Sequence, residues 1–176
     1  DMMAPTVVGM RPEAIIACST LDDTQRRAVL AQVDALAAQG YRVLAVGETT
    51  QDGDRHPAEQ QQFRFTYIGL VAFHDPPKKN IAQVFNSFRE AGIRVNIITG
   101  DNALTTTAIA RQVGFAVEGE LLSGEVVQHL DDAALGEVVR HSNVFTRMFP
   151  EAKLRVVNAL QAQGQVVAMT GDGVND

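Results

Sequence analysis

Two segments of the chain place glycine beside hydroxyl and acidic side chains directly after a largely apolar run. Thr99-Gly100-Asp101 follows residues 93–98, and Thr170-Gly171-Asp172-Gly173-Val174-Asn175-Asp176 follows residues 166–169. Apolar runs of this kind are typical of buried strands in a parallel sheet. Because ligands bind at the carboxyl ends of such strands, we interpret both segments as candidate binding loops.

The side chains in these loops suit a phosphate or a magnesium ion. Asp172 and Asp176, with the amide of Asn175, offer the oxygen ligands that Mg²⁺ prefers, and glycine-rich turns expose backbone N–H groups to a phosphate. The hydroxyl of Thr99 beside a helix N-terminus also suits phosphate oxygens. The structural alternatives are a loop that only turns the chain and, for Asp101, a helix cap, which is compatible with phosphate binding.

Two cations accompany these loops. Arg147 ends a predicted strand, and Lys153 lies in the first turn of a helix that Pro150 opens. A helix N-terminus disfavours positive charge, so a bound phosphate would offset the cost of Lys153; a surface lysine is the alternative. A hydroxyl, two cations and a carboxylate at one sheet edge suit phosphoryl transfer, which depends on positioning and charge neutralisation.

A nucleophile for that reaction is missing from the sequence. The chain contains no segment like Asp-Lys-Thr-Gly-Thr, and no serine or cysteine has the setting of a nucleophile elbow. Asp75 follows a predicted strand, but Pro76-Pro77 behind it makes a stiff exit rather than a pocket lined with amides. We therefore interpret Asp75 as a structural residue.

From residue 67 onward the hydrophobic pattern alternates between strands and helices. The pattern predicts strands at 67–73, 93–98, 143–148 and 165–169, and helices at 78–91, 103–113, 131–140 and 150–163. Repeated units of this length predict a parallel sheet with flanking helices and right-handed crossovers. Residues 1–66 are less regular, with strands at 6–8 and 41–47, helices at 11–16 and 22–39, and a polar loop at 49–62. We therefore predict two domains, 1–66 and 67–176.

Composition excludes several classes of protein. The 176 residues carry a formal charge of −6, which argues against broad nucleic-acid binding. Cys18 is the single cysteine, so neither a disulfide framework nor a cysteine-based zinc site is expected. No apolar run approaches the roughly 20 residues of a membrane span. We expect the chain itself to be soluble.

Four segments resemble the cytoplasmic catalytic region of P-type cation-transporting ATPases, in matching order and spacing. They are Leu70-Val71-Ala72-Phe73-His74-Asp75-Pro76-Pro77-Lys78, Ile98-Thr99-Gly100-Asp101-Asn102, Phe145-Thr146-Arg147-Met148-Phe149-Pro150-Glu151-Ala152-Lys153 and Met169-Thr170-Gly171-Asp172-Gly173-Val174-Asn175-Asp176. Before residue 67 the resemblance is thinner. Arg42 matches the nucleotide-contacting arginine of the family. Val8-Gly9-Met10-Arg11-Pro12-Glu13 is similar to the family's Lys-Gly-Ala-Pro-Glu, with valine in place of lysine and one extra residue.

The resemblance implies a fold and a site. The fold is the α/β, haloacid-dehalogenase-like phosphorylation domain, here incomplete because the strand with the phosphorylated aspartate is missing, joined to a small α/β piece of the nucleotide-binding domain. The implied catalytic residues are Thr99, Lys153 and Asp172, with Asp172 as the Mg²⁺ ligand. The implied contacts to ATP or its phosphates come from Arg42, Thr99, Gly100, Asp101, Arg147, Lys153 and Asn175, and Asp176 would orient the last loop.

The resemblance also implies partners and a location. The parent protein would be a multi-pass pump of the cell membrane with this region on the cytoplasmic side, and it would supply the membrane helices, the actuator domain and the nucleophile segment. Asp75-Pro76-Pro77 with Thr99-Gly100-Asp101-Asn102 favours the calcium-type branch over magnesium transporters. The chain on its own is expected to show no ATPase turnover and to pair through its exposed sheet edge. A soluble phosphatase of the same superfamily and a non-catalytic nucleotide-binding module are the alternatives.

Overall fold

The computed structural model of the chain describes residues 6–49, 64–74 and 76–171. The chain forms two compact units that divide between residues 75 and 76. The predicted loop at 49–62 lies outside the described residues apart from Thr49, which ends a strand. Asp75 and the end segment 172–176 also lie outside the described residues, so their proposed roles stay predictions.

The first unit is a three-stranded antiparallel sheet with two helices. In chain order its elements are β1 (Thr6–Met10), α1 (Pro12–Ala17), α2 (Asp23–Ala37), β2 (Arg42–Thr49) and β3 (Thr66–Phe73). The strand order is β1-β2-β3, so β2 is central. A capping box begins α2: the carboxylate of Asp22 accepts a hydrogen bond from the backbone N–H of Gln25 at 2.8 Å, and the side-chain oxygen of Gln25 accepts one from the N–H of Asp22 at 3.0 Å.

Alternation along β2 decides which face of this sheet is covered. Val43 and Ala45 are buried, and the cluster around Val43 includes Ile16 of α1 and Val29 of α2. Side chains alternate between the two faces of a strand, so Arg42 belongs to the opposite face, where it is exposed. The helices therefore cover one face of the sheet, and Arg42 lies on the other.

The strand at 67–73 has a different partner from the one predicted. We expected it to begin the parallel sheet of the second domain, but β3 pairs antiparallel with β2, with Phe73 opposite Arg42, and lies in the first unit. An apolar run indicates a strand without revealing the direction of its neighbour. For this reason the compact units divide at 75/76 and not at the predicted 66/67.

The second unit is built on a parallel sheet, as predicted. Its elements are α3 (Ile81–Glu90), β4 (Ile97–Ile98), α4 (Ala103–Gln112), β5 (Leu122–Ser123), α5 (Gly124–His129), α6 (Asp132–His141), β6 (Val144–Thr146) and α7 (Pro150–Ala162). The strand order is β4-β6-β5, and both pairings are parallel. The carboxyl ends of the three strands therefore share one edge of the sheet.

The core of this unit lies where α5, α6 and α7 pack with the sheet. Its buried members are Leu122, Val127, Leu135, Val139, Phe145, Met148, Ala152, Val156 and Leu160. The helix α3 contrasts with the others because none of its residues is buried, although Ile81, Val84, Phe85 and Phe88 recur at helical spacing. An apolar cavity of about 260 Å³ lies between α3, β4 and α4, lined among others by Ile81, Phe85 and Ile97. Among the described residues, β6 is the sole strand partner of β4.

The predicted strand at 165–169 is wrong. Residues 165–171 form neither a strand nor a helix, and Val166 is fully exposed. Val167 alone in this run packs against the core of the second unit. A strand exists through hydrogen bonds to a neighbour, and none of the described strands pairs with this segment.

Candidate functional site

Main-chain hydrogen bonds join the loops that follow β4 and β6. The N–H of Met148 donates to the carbonyl of Thr99 at 2.9 Å, and the N–H of Arg147 donates to the carbonyl of Asp101 at 2.8 Å. The N–H of Thr99 in turn donates to the carbonyl of Phe145 at 2.9 Å. Main-chain hydrogen bonds thus continue past the ends of both strands, although not in the parallel register, and they bring the predicted site residues Thr99, Asp101 and Arg147 together.

The hydroxyl of Thr99 shapes its own loop. Its oxygen accepts a hydrogen bond from the N–H of Asp101 at 3.1 Å, which turns the chain around Gly100. The cap of α4 is Asn102, whose side-chain oxygen accepts from the N–H of Thr105 at 2.9 Å. The alternative that Asp101 caps this helix is therefore wrong: α4 begins at Ala103, as predicted, and Asn102 directly before it is the cap.

Arg147 has an unusual backbone. Its φ is 49°, in the left-handed region, and it is the one non-glycine residue with positive φ in the described parts of the chain. For an L-residue this conformation costs roughly 1–2 kcal/mol. Its side chain is exposed. Strain of this kind persists where the surrounding structure fixes it and clusters at functional sites.

Lys153 lies where the sequence places it, in the first turn of α7, the helix that follows this loop. The residue is 8% exposed, so the alternative of a surface lysine is wrong. Burial and the positive end of the helix dipole both disfavour an ammonium group. An anion held at this edge of the sheet would reduce both costs.

A third loop, which the sequence analysis missed, joins the other two. The short strand β5 ends at Ser123, and Gly124 begins α5. A Cβ atom added at Gly124 would lie 2.6 Å from the carbonyl oxygen of Arg147. The side-chain oxygen of Ser123 caps α5 by accepting from the N–H of Val126 at 3.3 Å. A hydroxyl residue before a glycine and an acidic first turn was the signal for this helix start.

The other predicted site residues lie outside this group of hydrogen-bonded loop residues or outside the described parts of the chain. Gly100 is exposed in the first loop, and Arg42 belongs to the first unit. Asp172 and Asn175 lie outside the described residues, so the convergence of Thr99, Lys153 and Asp172 stays a prediction, to which the fold adds that Thr99 and Lys153 come after neighbouring strands of one sheet. Both follow strands whose carboxyl ends share one edge.

The fit of a magnesium ion depends on Asp172. Within the described ranges, no group of three or more His, Cys, Asp or Glu side chains could hold a metal ion. Asp101 lies in the loop beside Arg147, but one carboxylate does not make a magnesium site. What the described loops offer is a hydroxyl, main-chain groups and two cations, which is the equipment for holding a phosphoryl group.

The sequence family agrees with this architecture. A profile described as a hydrolase, haloacid dehalogenase-like hydrolase, matches residues 11–176. The chain belongs to the haloacid dehalogenase-like hydrolases. This confirms the predicted fold class, a mixed α/β structure with a parallel sheet and flanking helices.

Individual relatives are cation pumps, which confirms the resemblance. The calcium-transporting ATPase 1 of Saccharomyces cerevisiae is 34% identical over 89% of this chain and 17% of its own length. A probable cation-transporting ATPase F of Mycobacterium bovis is 42% identical over 86% of this chain and 18% of its own. The magnesium-transporting ATPase, P-type 1, of Salmonella typhimurium is 35% identical over 89% and 17%. The chain spans less than a fifth of the length of these relatives.

In the described residues, no helix is both long and apolar enough to cross a membrane.

Proposed function

We propose that this chain is part of a P-type ATPase that couples ATP hydrolysis, through an aspartyl-phosphate intermediate, to cation transport across a membrane. The first unit is then the end of the nucleotide-binding domain, and the second is an incomplete phosphorylation domain. The observation that carries the proposal is the hydrogen-bonded pair of loops at the carboxyl edge of the parallel sheet, with Lys153 buried beside them. The relatives support it, since each is named as an ATPase that transports a cation.

Each described site residue has a part in this chemistry. The γ-phosphoryl group of ATP passes to an aspartate carboxylate of a segment outside this chain, and ADP leaves. Thr99 donates its hydroxyl hydrogen to a phosphoryl oxygen, while Lys153 neutralises the charge that spreads over those oxygens in the transition state. Asp172 would hold a Mg²⁺ ion, which would supply positive charge to offset that of the phosphates.

The proposal also assigns nucleotide contacts to residues other than Thr99 and Lys153. Arg42 and Arg147 present guanidinium groups, which bind phosphate oxygens in pairs of parallel hydrogen bonds. Gly100 and Asp101 contribute to the loop around the phosphates, and Asn175 would close it.

The transported ion and the alternatives are open to direct tests. Calcium is our choice from the Asp75-Pro76-Pro77 and Thr99-Gly100-Asp101-Asn102 segments; ATP-driven uptake of ⁴⁵Ca²⁺ into vesicles that contain the parent protein checks it. A soluble phosphatase is the second candidate, favoured only by the match to the hydrolase family as a whole. A parent gene without membrane helices would favour the phosphatase. For the isolated chain we expect no ATPase turnover, and a dimeric mass in light scattering.

The experiment that tests the proposal is phosphorylation of the parent protein by ATP labelled at the γ-phosphate. Lys153→Ala is expected to slow formation of the acid-stable phosphoprotein by about 100-fold or more, because a preorganised charge-stabilising group is lost. Lys79→Ala, which removes an exposed lysine, is the matched control and should leave the rate unchanged. A parent that never acquires label, or a Lys153→Ala variant labelled at the wild-type rate, would contradict the proposal.

A further inference from the structure

The turn that contains Gly124 is packed against the loop that carries Arg147. The carbonyl oxygen of Arg147 occupies the space beside the α-carbon of Gly124, 2.6 Å from where a Cβ would stand. The ring of Phe149 closes the same space at 3.0 and 3.1 Å. These distances are below ordinary van der Waals contact for a carbon atom, and Gly124 is buried. Only glycine fits here without displacing backbone.

The contact fixes the part of the loop where the backbone is strained. Arg147 is left-handed at φ 49°, and this turn aims its N–H at Asp101 and the next N–H, that of Met148, at Thr99. One residue before Arg147, a hydrogen bond joins β6 to β5: the buried hydroxyl of Thr146 donates to the carbonyl of Leu122 at 3.4 Å. The 123–124 turn therefore supports the loop from the side opposite to the Thr99 loop.

We propose that Gly124 is a positioning residue of the site: by leaving room for the Arg147 carbonyl it holds the left-handed turn, and through that turn the Thr99–Asp101 loop and the start of α7. That the site binds a phosphoryl group rests on the proposed function. The positioning role of Gly124 does not rest on the proposed function, because it concerns only how three loops of the second unit pack together. A side chain at 124 would push the Arg147 carbonyl away and break the two main-chain hydrogen bonds that join the loops.

Amide hydrogen exchange of the chain without ligand tests this directly. Gly124→Ala is expected to speed exchange of the Arg147 and Met148 amides by about tenfold or more, while amides in the middle of α7 keep their protection. Gly136→Ala is the matched control in the same unit, because the nearest atom to an added Cβ there is the side-chain nitrogen of Gln163 at 3.6 Å. Unchanged exchange at 147 and 148, or an equal acceleration throughout α7, would overturn the proposal.

Should Gly124→Ala fail to fold, the test moves to a Phe149→Leu background, which makes room on the ring side. The close approach of the added methyl group to the Arg147 carbonyl then remains. The double variant is expected to exchange faster than Phe149→Leu at residues 147 and 148, and equal exchange in the two would refute the positioning role.

The parent protein separates this inference from the proposed function. With Gly124→Ala, formation of the phosphoprotein from labelled ATP is expected to slow by about tenfold, and Gly136→Ala is expected to have no effect. Wild-type rates in Gly124→Ala would overturn the positioning role. A wild-type parent that acquires no label counts against the proposed function, and the exchange experiment then decides on Gly124 by itself.

Discussion

Arg147 and Lys153 are both held in arrangements that lower stability. Arg147 has a left-handed backbone, and Lys153 is buried at the positive end of a helix. The N–H of Arg147 donates to the carbonyl of Asp101 and the N–H of Lys153 to the carbonyl of Phe149, so main-chain hydrogen bonds hold both residues. Costs of this kind are typical of residues retained for binding or catalysis.

The backbone of Arg147 gives a prediction about stability. Arg147→Gly and Arg147→Ala remove the same guanidinium group, but glycine adopts positive φ without steric penalty. The free energy of unfolding, measured in urea, should therefore be about 1 kcal/mol larger for Arg147→Gly than for Arg147→Ala. Equal values, or a more stable alanine variant, would show that residue 147 is not left-handed in solution.

At the scale of the elements, α7 connects the candidate site with the end of α5. It carries Lys153 at its start, and further along it Arg155 reaches to the segment between α5 and α6. The guanidinium group of Arg155 donates to the carbonyls of Val127 at 2.7 Å, Gln128 at 3.0 Å and Leu130 at 2.8 Å. One side chain thus satisfies carbonyl groups at the end of α5, where a helix leaves them unpaired.

Replacing Arg155 should therefore be costly. Arg155→Lys keeps the positive charge but replaces the several N–H donors of the guanidinium group with a single ammonium nitrogen. Because some of the carbonyls would then lose their hydrogen bonds, we expect the free energy of unfolding to fall by about 1–3 kcal/mol. Arg140→Lys changes an exposed pair with Glu137 and should cost less than about 0.5 kcal/mol. Thermal or urea unfolding of the two variants checks this; equal losses would mean that the contacts of Arg155 do not stabilise the fold.

The elements that could be predicted from the sequence are those with long periodic patterns and clear ends. The helices α2 and α7 have a capping box or an opening proline, and their predicted bounds agree with the structure within two residues. The strand β5 and the helix α5 were missed because two and six residues are too short to show a period. The direction of β3 and the state of residues 165–169 depend on neighbouring strands, which no local pattern contains.

The site was predictable to the extent that it follows from strand ends. Thr99, Asp101 and Arg147 adjoin because parallel strands end at one edge, and that rule needs only the order of elements. The role of Asn102 as cap and the close approach at Gly124 depend on distances of tenths of an ångström. Such details are determined by packing. The sequence therefore indicated which residue types are present, but not which atoms they contact.

In the second unit as a whole, several apolar or unpaired parts of the described structure could be covered by one more strand. The helix α3 buries none of its residues, the cavity beside Ile97 is apolar, and β4 has a partner on one side among the described strands. Residues 165–171 form neither a strand nor a helix. In the proposed function, the strand with the phosphorylated aspartate is central to the sheet, and it would cover these surfaces together.

Adding that strand should order the unit. When the chain is extended at its start to include the proposed nucleophile segment, we expect the amides of residues 97–98 and 166–169 to become protected from exchange by about tenfold or more. The matched control carries two prolines in the added segment, which prevent it from pairing. If the amides of residues 166–169 are equally protected in the extended chain and in its proline control, the added segment does not supply a strand to the sheet.

The central claim is that the loops at the carboxyl edge hold the phosphates of a magnesium-bound nucleotide. The most direct test is an NMR titration of the chain with Mg²⁺ and a non-hydrolysable ATP analogue, with Lys153→Ala as the comparison. We predict shifts at the amides of residues 99–101 and 171–175 that depend on both additions and weaken by about tenfold in apparent affinity in the variant. Shifts confined to other regions, or none at either loop, would contradict the account.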